Sequence, residues 1–386
     1  MGRTWTEAVG ALPGVWTGSQ SGVRWDRSLH VDALIAATIG KRKVMLYGQR
    51  RRYFSGTREA TALYLWVTDN NRSFYVGPVT MEDEASWMLP SNLLYSDGNL
   101  HLLQRRDTSE GSAISLSRLA EELNTIKYVL STWAQLDASF SGSSIPTAGL
   151  VGFLSNASSG DVTWIDEYHC VNATVTKAAR VAYGFKFTGP GSGAMWPVNG
   201  RKDNNQYGFV SHDFTLLATV TIHEVPKGST PQLGASLGDG AGKKIIVLSY
   251  SMKKMCKTVF NGTKTAPDST WDPGREHRVA LVLQGGNKGS VYVDGVHVGS
   301  SAKLPTPDTR GREITHFSIG GDKGDTNSSV TVTNVFLYNR PLSVGEIKMV
   351  KRSDDKKGGG DGSMRGGVSQ LLLLLLLGLC SFVALY

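Results

Sequence analysis

Turn residues restrict what this chain can become more than any other feature. Steps such as Asp-Gly, Gly-Lys-Arg and Asp-Asn-Asn recur between short runs rich in Val, Ile, Leu, Thr and Tyr. Aspartate, asparagine and glycine tolerate the left-handed dihedrals of a tight hairpin, so each step folds the chain back on itself. Residues 33–39 and 43–47 flank Gly40-Lys41-Arg42, 62–68 and 74–76 flank Asp69-Asn70-Asn71, and 93–95 and 99–103 flank Ser96-Asp97-Gly98. Farther on, 214–225 is dense in Val, Thr and Ile, and 290–298 alternates around Asp294-Gly295. Residues 317–319 end at Gly320-Gly321, and 330–338 form a further strand. The chain is therefore expected to be mainly β. Its first part predicts propeller blades or a sandwich, and the stretch after about Ala148 predicts a sandwich of two antiparallel sheets.

One segment breaks the two-residue period. Leu119, Leu123, Ile126, Leu130, Trp133 and Leu136 recur at spacings of three and four, which predicts a helix with one apolar face that bridges two domains. Ser117 is placed to cap it, and Glu121 and Glu122 suit its first turn. Residues 138–147, rich in Ser and Gly, read as a linker. The expected organisation is blades over 1–112, the linking helix over 113–140, the sandwich over 141–350, and a polar spacer with a C-terminal signal over 351–386.

A chain of 386 residues has room for two or three domains. The formal net charge of +8 is spread over short clusters, with no basic tract and no nucleic-acid motif, so no nucleic-acid partner is expected. Residues 371–377 are seven leucines, and the apolar stretch runs on to Tyr386. Gly-rich residues 358–363 and a short spacer precede it, which is the pattern of a glycosylphosphatidylinositol (GPI) attachment signal. Asp361, followed by Gly362 and Ser363, is the expected attachment residue; a plain tail-anchoring helix is the alternative. Met1 to Gly10 shows no apolar core of a secretory signal in the chain as given. Sequons at Asn71, Asn156, Asn172, Asn261 and Asn327 nonetheless fit a secreted, cell-surface protein. Cys170 and Cys256 are a candidate disulfide, and the cysteine spacing suits no metal site. No cofactor is expected.

The segment Val330-Thr331-Val332-Thr333-Asn334-Val335-Phe336-Leu337-Tyr338-Asn339-Arg340-Pro341-Leu342 closely resembles the signature of the trypanosome trans-sialidase superfamily. Gly149-Leu150-Val151-Gly152-Phe153-Leu154-Ser155, Val220-Thr221-Ile222-His223-Glu224-Val225-Pro226-Lys227-Gly228, Gly289-Ser290-Val291-Tyr292-Val293-Asp294-Gly295 and Leu65-Trp66-Val67-Thr68-Asp69-Asn70 fit the same family. The resemblance implies part of a sialidase β-propeller, a linking α-helix and a concanavalin A-like (laminin-G-like) sandwich. It also implies a GPI-anchored trypanosome surface glycoprotein.

Active members of that family need three arginines to grip a carboxylate, a tyrosine nucleophile activated by a glutamate, and an aspartate acid/base. The resemblance places the acid/base, the glutamate and two of the arginines before Met1. The tyrosine would follow an acidic stretch, but Asp83-Glu84-Ala85-Ser86 is followed here by Trp87 and Met88, with no tyrosine until Tyr95. The third arginine would lie in Trp-x-Arg; only Arg58 is near, without that tryptophan. No catalytic residue is therefore expected, and a non-catalytic adhesin or immune-evasion coat protein is. The alternatives are an active sialidase or trans-sialidase lacking its N-terminal catalytic part, and a non-functional truncated copy. The resemblance makes Val330 to Leu342 the ligand-binding candidates, with host cell-surface or matrix glycoproteins and sialoglycans as partners. Alternation puts Phe336 and Tyr338 on one face and Leu337 on the other, and Asn339, Arg340 and Pro341 form the next turn. Trp196 reads as core, not as a sugar platform.

Overall fold

The computed structural model describes residues 31–55, 58–82, 91–108, 111–143, 145–155, 162–198, 207–226, 229–237, 243–265, 270–304, 314–321 and 329–350. These fall within one unit, 1–349, apart from Val350, which begins a second unit running to Tyr386. The chain is mainly β. Strands β1 (Val31–Ile39), β2 (Arg42–Ser55), β3 (Arg58–Thr68) and β4 (Ser73–Glu82) form a four-stranded antiparallel meander. β5 (Ser91–Ser96), β6 (Asn99–Thr108) and β7 (Gly111–Arg118) form a three-stranded one. These are blades of the propeller kind, with tight turns at Gly40-Lys41 and Asp97-Gly98. Lys41 (φ 69°) and Asp97 (φ 51°) take the left-handed dihedrals that the turn residues predicted.

Helix α1 (Ala120–Gly142) follows, burying Leu123, Ile126, Val129, Leu130, Trp133 and Phe140 on one face. Two expectations change here. Ser117 does not cap the helix, because it is held in β7 opposite Leu102. Leu119 occupies the cap position without a side-chain hydrogen bond, and its N–H donates to Leu100 O at 2.8 Å. The helix also continues past residue 138, where a linker was expected. Buried Phe140 meets Phe153 and Phe336 edge-on at 5.1 and 5.7 Å, and that packing outweighs the weak helix preference of the Ser-Phe-Ser-Gly segment.

The sandwich comprises β8 (Leu150–Leu154), β9 (Thr163–Trp164), β10 (Ala173–Thr176), β11 (Ala178–Val181), β12 (Gly184–Thr188) and β13 (Gly193–Pro197). It continues with β14 (Phe214–Glu224), β15 (Ser229–Leu237), β16 (Lys244–Ser251), β17 (Cys256–Phe260) and β18 (Thr263–Thr265). The last strands are β19 (Glu276–Gln284), β20 (Lys288–Val293), β21 (Val296–Ser301), β22 (Ile314–Ile319) and β23 (Ser329–Tyr338), and the short helix α2 (Val344–Met349) follows them. One eight-stranded sheet has the order β18-β17-β16-β15-β22-β13-β10-β9. The other runs β11-β12-β23-β14-β19-β20-β21, with β8 also pairing to β23. Rings from the two sheets interdigitate: Phe214 meets Phe317 at 5.0 Å and Trp164 meets Phe185 at 5.2 Å. Asp294 (φ 51°) and Gly295 (φ 75°) make the turn between β20 and β21, where sequence placed it. Trp196 is fully buried, as expected, and Gly152 makes room for it: a Cβ there would sit 2.7 Å from the indole.

Candidate functional site

β23 carries the candidate ligand-binding residues and is interior to its sheet. It pairs with β12 through Ser329 to Thr333, with β14 along most of its length, and with β8 through Val335 to Tyr338. Val330, Val332, Val335, Phe336, Leu337 and Tyr338 are all at most 4 % exposed. Phe336 and Leu337 do alternate, yet both are buried, because α1 covers the face that Phe336 presents while Leu337 lies on the opposite face. Phe336 stacks on Phe153 at 4.5 Å beneath Phe140 of that helix. Thr331, Thr333, Asn334, Asn339, Arg340 and Pro341 are half-buried, and Leu342 is buried.

The turn after β23 is a fastening. Asn339 N–H donates to Gly149 O at 2.8 Å, and its amide donates to Asn71 Oδ1 on the four-stranded blade at 3.2 Å. Arg340 donates to Ala148 O and grips Glu346 with both Nη atoms at 2.6 and 3.2 Å. Ser343 and Glu346 form a reciprocal capping box at the start of α2. The Arg340 hydrogen bonds hold the Glu346 carboxyl at about 2, below its ordinary 4.5. A carboxyl lowered in the folded state stabilises above its ordinary value and loses that contribution as pH falls toward its folded one. Glu346→Gln should therefore lower stability by about 1 kcal/mol at neutral pH. The wild-type advantage should fade between about pH 4.5 and 2, as measured by denaturant unfolding across that range; a gap that stays constant with pH contradicts the assignment.

Sequence reasoning missed the polar joint between blade, helix and sandwich. Arg72, 4 % exposed, donates through Nη1 and Nη2 to the two Asp137 carboxylate oxygens of α1 at 3.0 and 2.7 Å. Its Nε donates to Leu150 O of the sandwich at 2.9 Å. Its guanidinium lies over the rings of Tyr168 and Trp133, 4.1 and 5.5 Å from their centroids. Arg42 bridges Asp69 and Asp137, the Tyr168 hydroxyl donates to Asp137 at 2.9 Å, and Trp133 Nε1 donates to Tyr168 O. Burial alone would lower the Arg72 pKa; Tyr168, Asp137 and Asp69 more than offset it and raise it. No signal in the sequence pointed to it: Arg72 reads as the middle residue of the Asn71-Arg72-Ser73 sequon, a pattern that suggests a surface position.

Beside the joint, Asp166 is fully buried. Its carboxylate accepts the N–H groups of Phe153, Tyr168, Cys170 and Val171 and the Tyr207 hydroxyl, at 2.9–3.2 Å. Burial pushes the carboxyl above its ordinary range while the backbone donors pull it down. The carboxyl group knots the 166–171 loop to β8.

The candidate disulfide is not formed. Cys170 and Cys256 are both buried thiols. Cys256 is in β17, and Cys170 lies three residues before the start of β10, five positions away in the same sheet. Five strand spacings amount to about 24 Å, against the ~7 Å that a disulfide can span. Burial raises both thiol pKa values, which keeps them unreactive. Asn71 and Asn172 are exposed, and Asn172 Oδ1 accepts the Asp166 N–H at 3.0 Å. Asn261 is half-buried in the β17–β18 turn. Asn156, Asn327, Asp361 and residues 83–88, where the nucleophile was sought, lie outside the described residues, as does the Arg58 side chain. Among the described residues, no group of three or more His, Cys, Asp or Glu is placed to hold a metal ion.

Residues 146–345 match the family model of the trans-sialidase C-terminal domain. Residues 1–116 match a BNR repeat-like domain, and 361–385 match the hydrophobic C-terminal of Trypanosoma trans-sialidase. The chain is 50 % identical over 368 residues to Sialidase 85-1.1 of Trypanosoma cruzi, covering 91 % of this chain and 48 % of that protein. It is 37 % identical over 381 residues to a Sialidase of the same organism, covering 92 % and 32 %. Trypanosoma rangeli sialidase in complex with sialic acid superposes with a TM-score of 0.78 at 37 % identity, over 90 % of this chain and 56 % of that one. The chain thus spans about half or less of the length of these two curated relatives.

Proposed function

Because the chain belongs to the trypanosome trans-sialidase family, we propose that it serves as a non-catalytic, GPI-anchored surface glycoprotein that engages host cell-surface or matrix glycoproteins. One observation carries the non-catalytic part. At the place of the family's tyrosine nucleophile the sequence reads Trp87-Met88, and a thioether has no proton to lose and cannot form the covalent sugar intermediate. The match of residues 361–385 to the family's hydrophobic C-terminal supports attachment at Asp361. The parts are blades that reach Arg118, beyond the expected 112, a linking helix over Ala120–Gly142, the sandwich from Leu150 on, and an anchor signal over 351–386.

Glycoprotein contact through the signature segment is confined to Thr331, Thr333, Asn334 and the 339–341 turn, since the remaining side chains are core. Sialic acid is the ligand of one solved relative, and sialoglycans are the sugars to try first. The decisive assay incubates the full chain with sialyl-lactose, with and without a lactose acceptor, and measures free and transferred sialic acid. Both are expected to stay at the level of the blank; release by this polypeptide would reject the non-catalytic reading.

A further inference from the structure

We propose that an N-linked glycan on Asn71 covers the Asn339–Arg340–Pro341 bend, so that occupancy of this one site decides whether the bend meets a partner. The assignment builds on the surface-glycoprotein reading above and divides its contact surface in two.

The turn that carries Asn71 is built locally. Asp69 Oδ1 accepts the N–H groups of Asn71 at 3.1 Å and of Arg72 at 2.9 Å, and the Asp69 N–H donates to Arg72 O at 3.2 Å. Asn70 takes a φ of 75°, which asparagine tolerates. Asn71 is exposed, while Arg72 and Ser73 behind it are buried. The turn thus presents the asparagine of the sequon outward and hides its other two members. Ser73 pairs with Thr68 across the β3–β4 hairpin, so the sequon is open to a transferase only before that hairpin closes.

The Asn71 side chain meets the bend. Its Oδ1 accepts the Asn339 amide at 3.2 Å, and the Asn339 backbone is fixed by its N–H to Gly149 O at 2.8 Å. Among the described sequon asparagines, Asn71 alone is hydrogen-bonded to the signature segment. Its Nδ2 has no hydrogen-bond partner among the described residues. N-glycosylation replaces one hydrogen of that nitrogen and leaves Oδ1 an acceptor, so sugar and hydrogen bond coexist. The first sugar then sits one amide width from Asn339. Space on the Gly149 side of the bend is already filled: a Cβ there would lie 2.6 Å from Asn339 Oδ1 and 3.1 Å from Arg340 Cγ. A bulky, hydrated glycan leaving this seam has half-buried residues 339–341 within its sweep. Thr333 lies six residues back along β23, about 20 Å from Asn339 and beyond the inner sugars. Glycosylated protein therefore offers a partner Thr331, Thr333 and Asn334, and unglycosylated protein adds the bend.

The test expresses the full chain behind an added secretory signal in a eukaryotic host, as Pro341→Cys in a Cys380→Ser background; Cys170 and Cys256 are buried and do not label. Peptide mass spectrometry after peptide N-glycosidase F in heavy-oxygen water reads occupancy at Asn71. The rate of modification at 341 by a polymer-linked maleimide is then compared before and after the enzyme. Asn71→Asp is the second comparison. It equals the enzyme's product at this site, keeps an acceptor oxygen for Asn339 and leaves every other glycan in place. Losing the glycan by either route should speed the bulky reagent at least about fivefold and leave N-ethylmaleimide nearly unchanged. Glycan at another asparagine but none at Asn71 overturns the proposal, as does an equal rate with and without the glycan. Acceleration by the enzyme that Asn71→Asp does not reproduce overturns it too, since the cover would then come from another site. So does equal acceleration of both reagents, since the bend itself would then have moved. The host-contact reading fails separately, as absence of binding to host-surface or matrix glycoproteins by either glycoform. Labelling uses no ligand and still decides the glycan cover in that case.

Discussion

Asp166→Ala should fail to give a stably folded sandwich. The substitution leaves the N–H groups of Phe153, Tyr168, Cys170 and Val171 and the Tyr207 hydroxyl without the acceptor they share. Each stranded buried donor costs about 1–3 kcal/mol, so the total reaches about 5 kcal/mol or more, comparable to the whole stability of a typical domain. Asp166→Asn separates this cause from cavity formation. It keeps one acceptor oxygen, for Phe153 and Tyr168, but turns an NH2 toward Cys170 and Val171. The expected loss is about 2–4 kcal/mol, intermediate between wild type and alanine. Thermal melts followed by near-ultraviolet dichroism rank the three proteins, with the buried ring of Tyr207 as one of the reporters. An alanine variant melting within about 2 °C of wild type would show that water replaces the carboxylate at no cost, and the knot would lose its role.

The second large effect is expected at Arg72. Arg72→Met keeps the apolar stem but removes both bonds to Asp137 and the bond to Leu150 O. Asp137 is a quarter exposed and keeps Arg42 at 3.3 Å, so the cost comes from the lost bonds of the buried guanidinium and the Leu150 carbonyl left without its donor, about 2–4 kcal/mol in all. Arg72→Lys should recover little of it, because an ammonium cannot reach two carboxylate oxygens, a backbone carbonyl and two ring faces at once. Adding Asp137→Asn to Arg72→Met should make the double variant more stable than the sum of the single losses predicts. The coupling reported by such a cycle should exceed about 1 kcal/mol. Additive losses would mean that Arg72 and Asp137 do not act as a pair, and that blade and helix are held instead by the Phe74–Trp133 contact and by Arg42.

The two sites differ from the hairpins in how legible they were beforehand. Asp97-Gly98 and Asp294-Gly295 could be placed from sequence because the turn is a local matter of dihedral preference, and neighbours decide it. The apolar face of α1 was equally visible, since a helix writes its period into adjacent turns. The joint leaves no such trace. Arg72 meets Asp137 across 65 residues and Leu150 across 78, and no periodicity links positions that far apart. The Cys170–Cys256 pairing failed for the same reason: strand order decides whether two cysteines meet, and β15, β16, β22 and β13 lie between them. Ser117 was assigned a cap by residue type, but the β7 ladder had already claimed its backbone.

The burial of β23 bears on how ligands for this segment are sought. A synthetic peptide spanning residues 330–342 would offer Phe336, Leu337 and Tyr338 freely to solvent, whereas the folded chain encloses all three between α1, β8 and β14. Antisera raised against such a peptide, or host molecules captured by it, would report a surface that intact protein withholds. Reagents meant for the folded molecule belong on the Asn339–Arg340–Pro341 bend, presented with the geometry that Gly149, Asn71 and Glu346 impose on it.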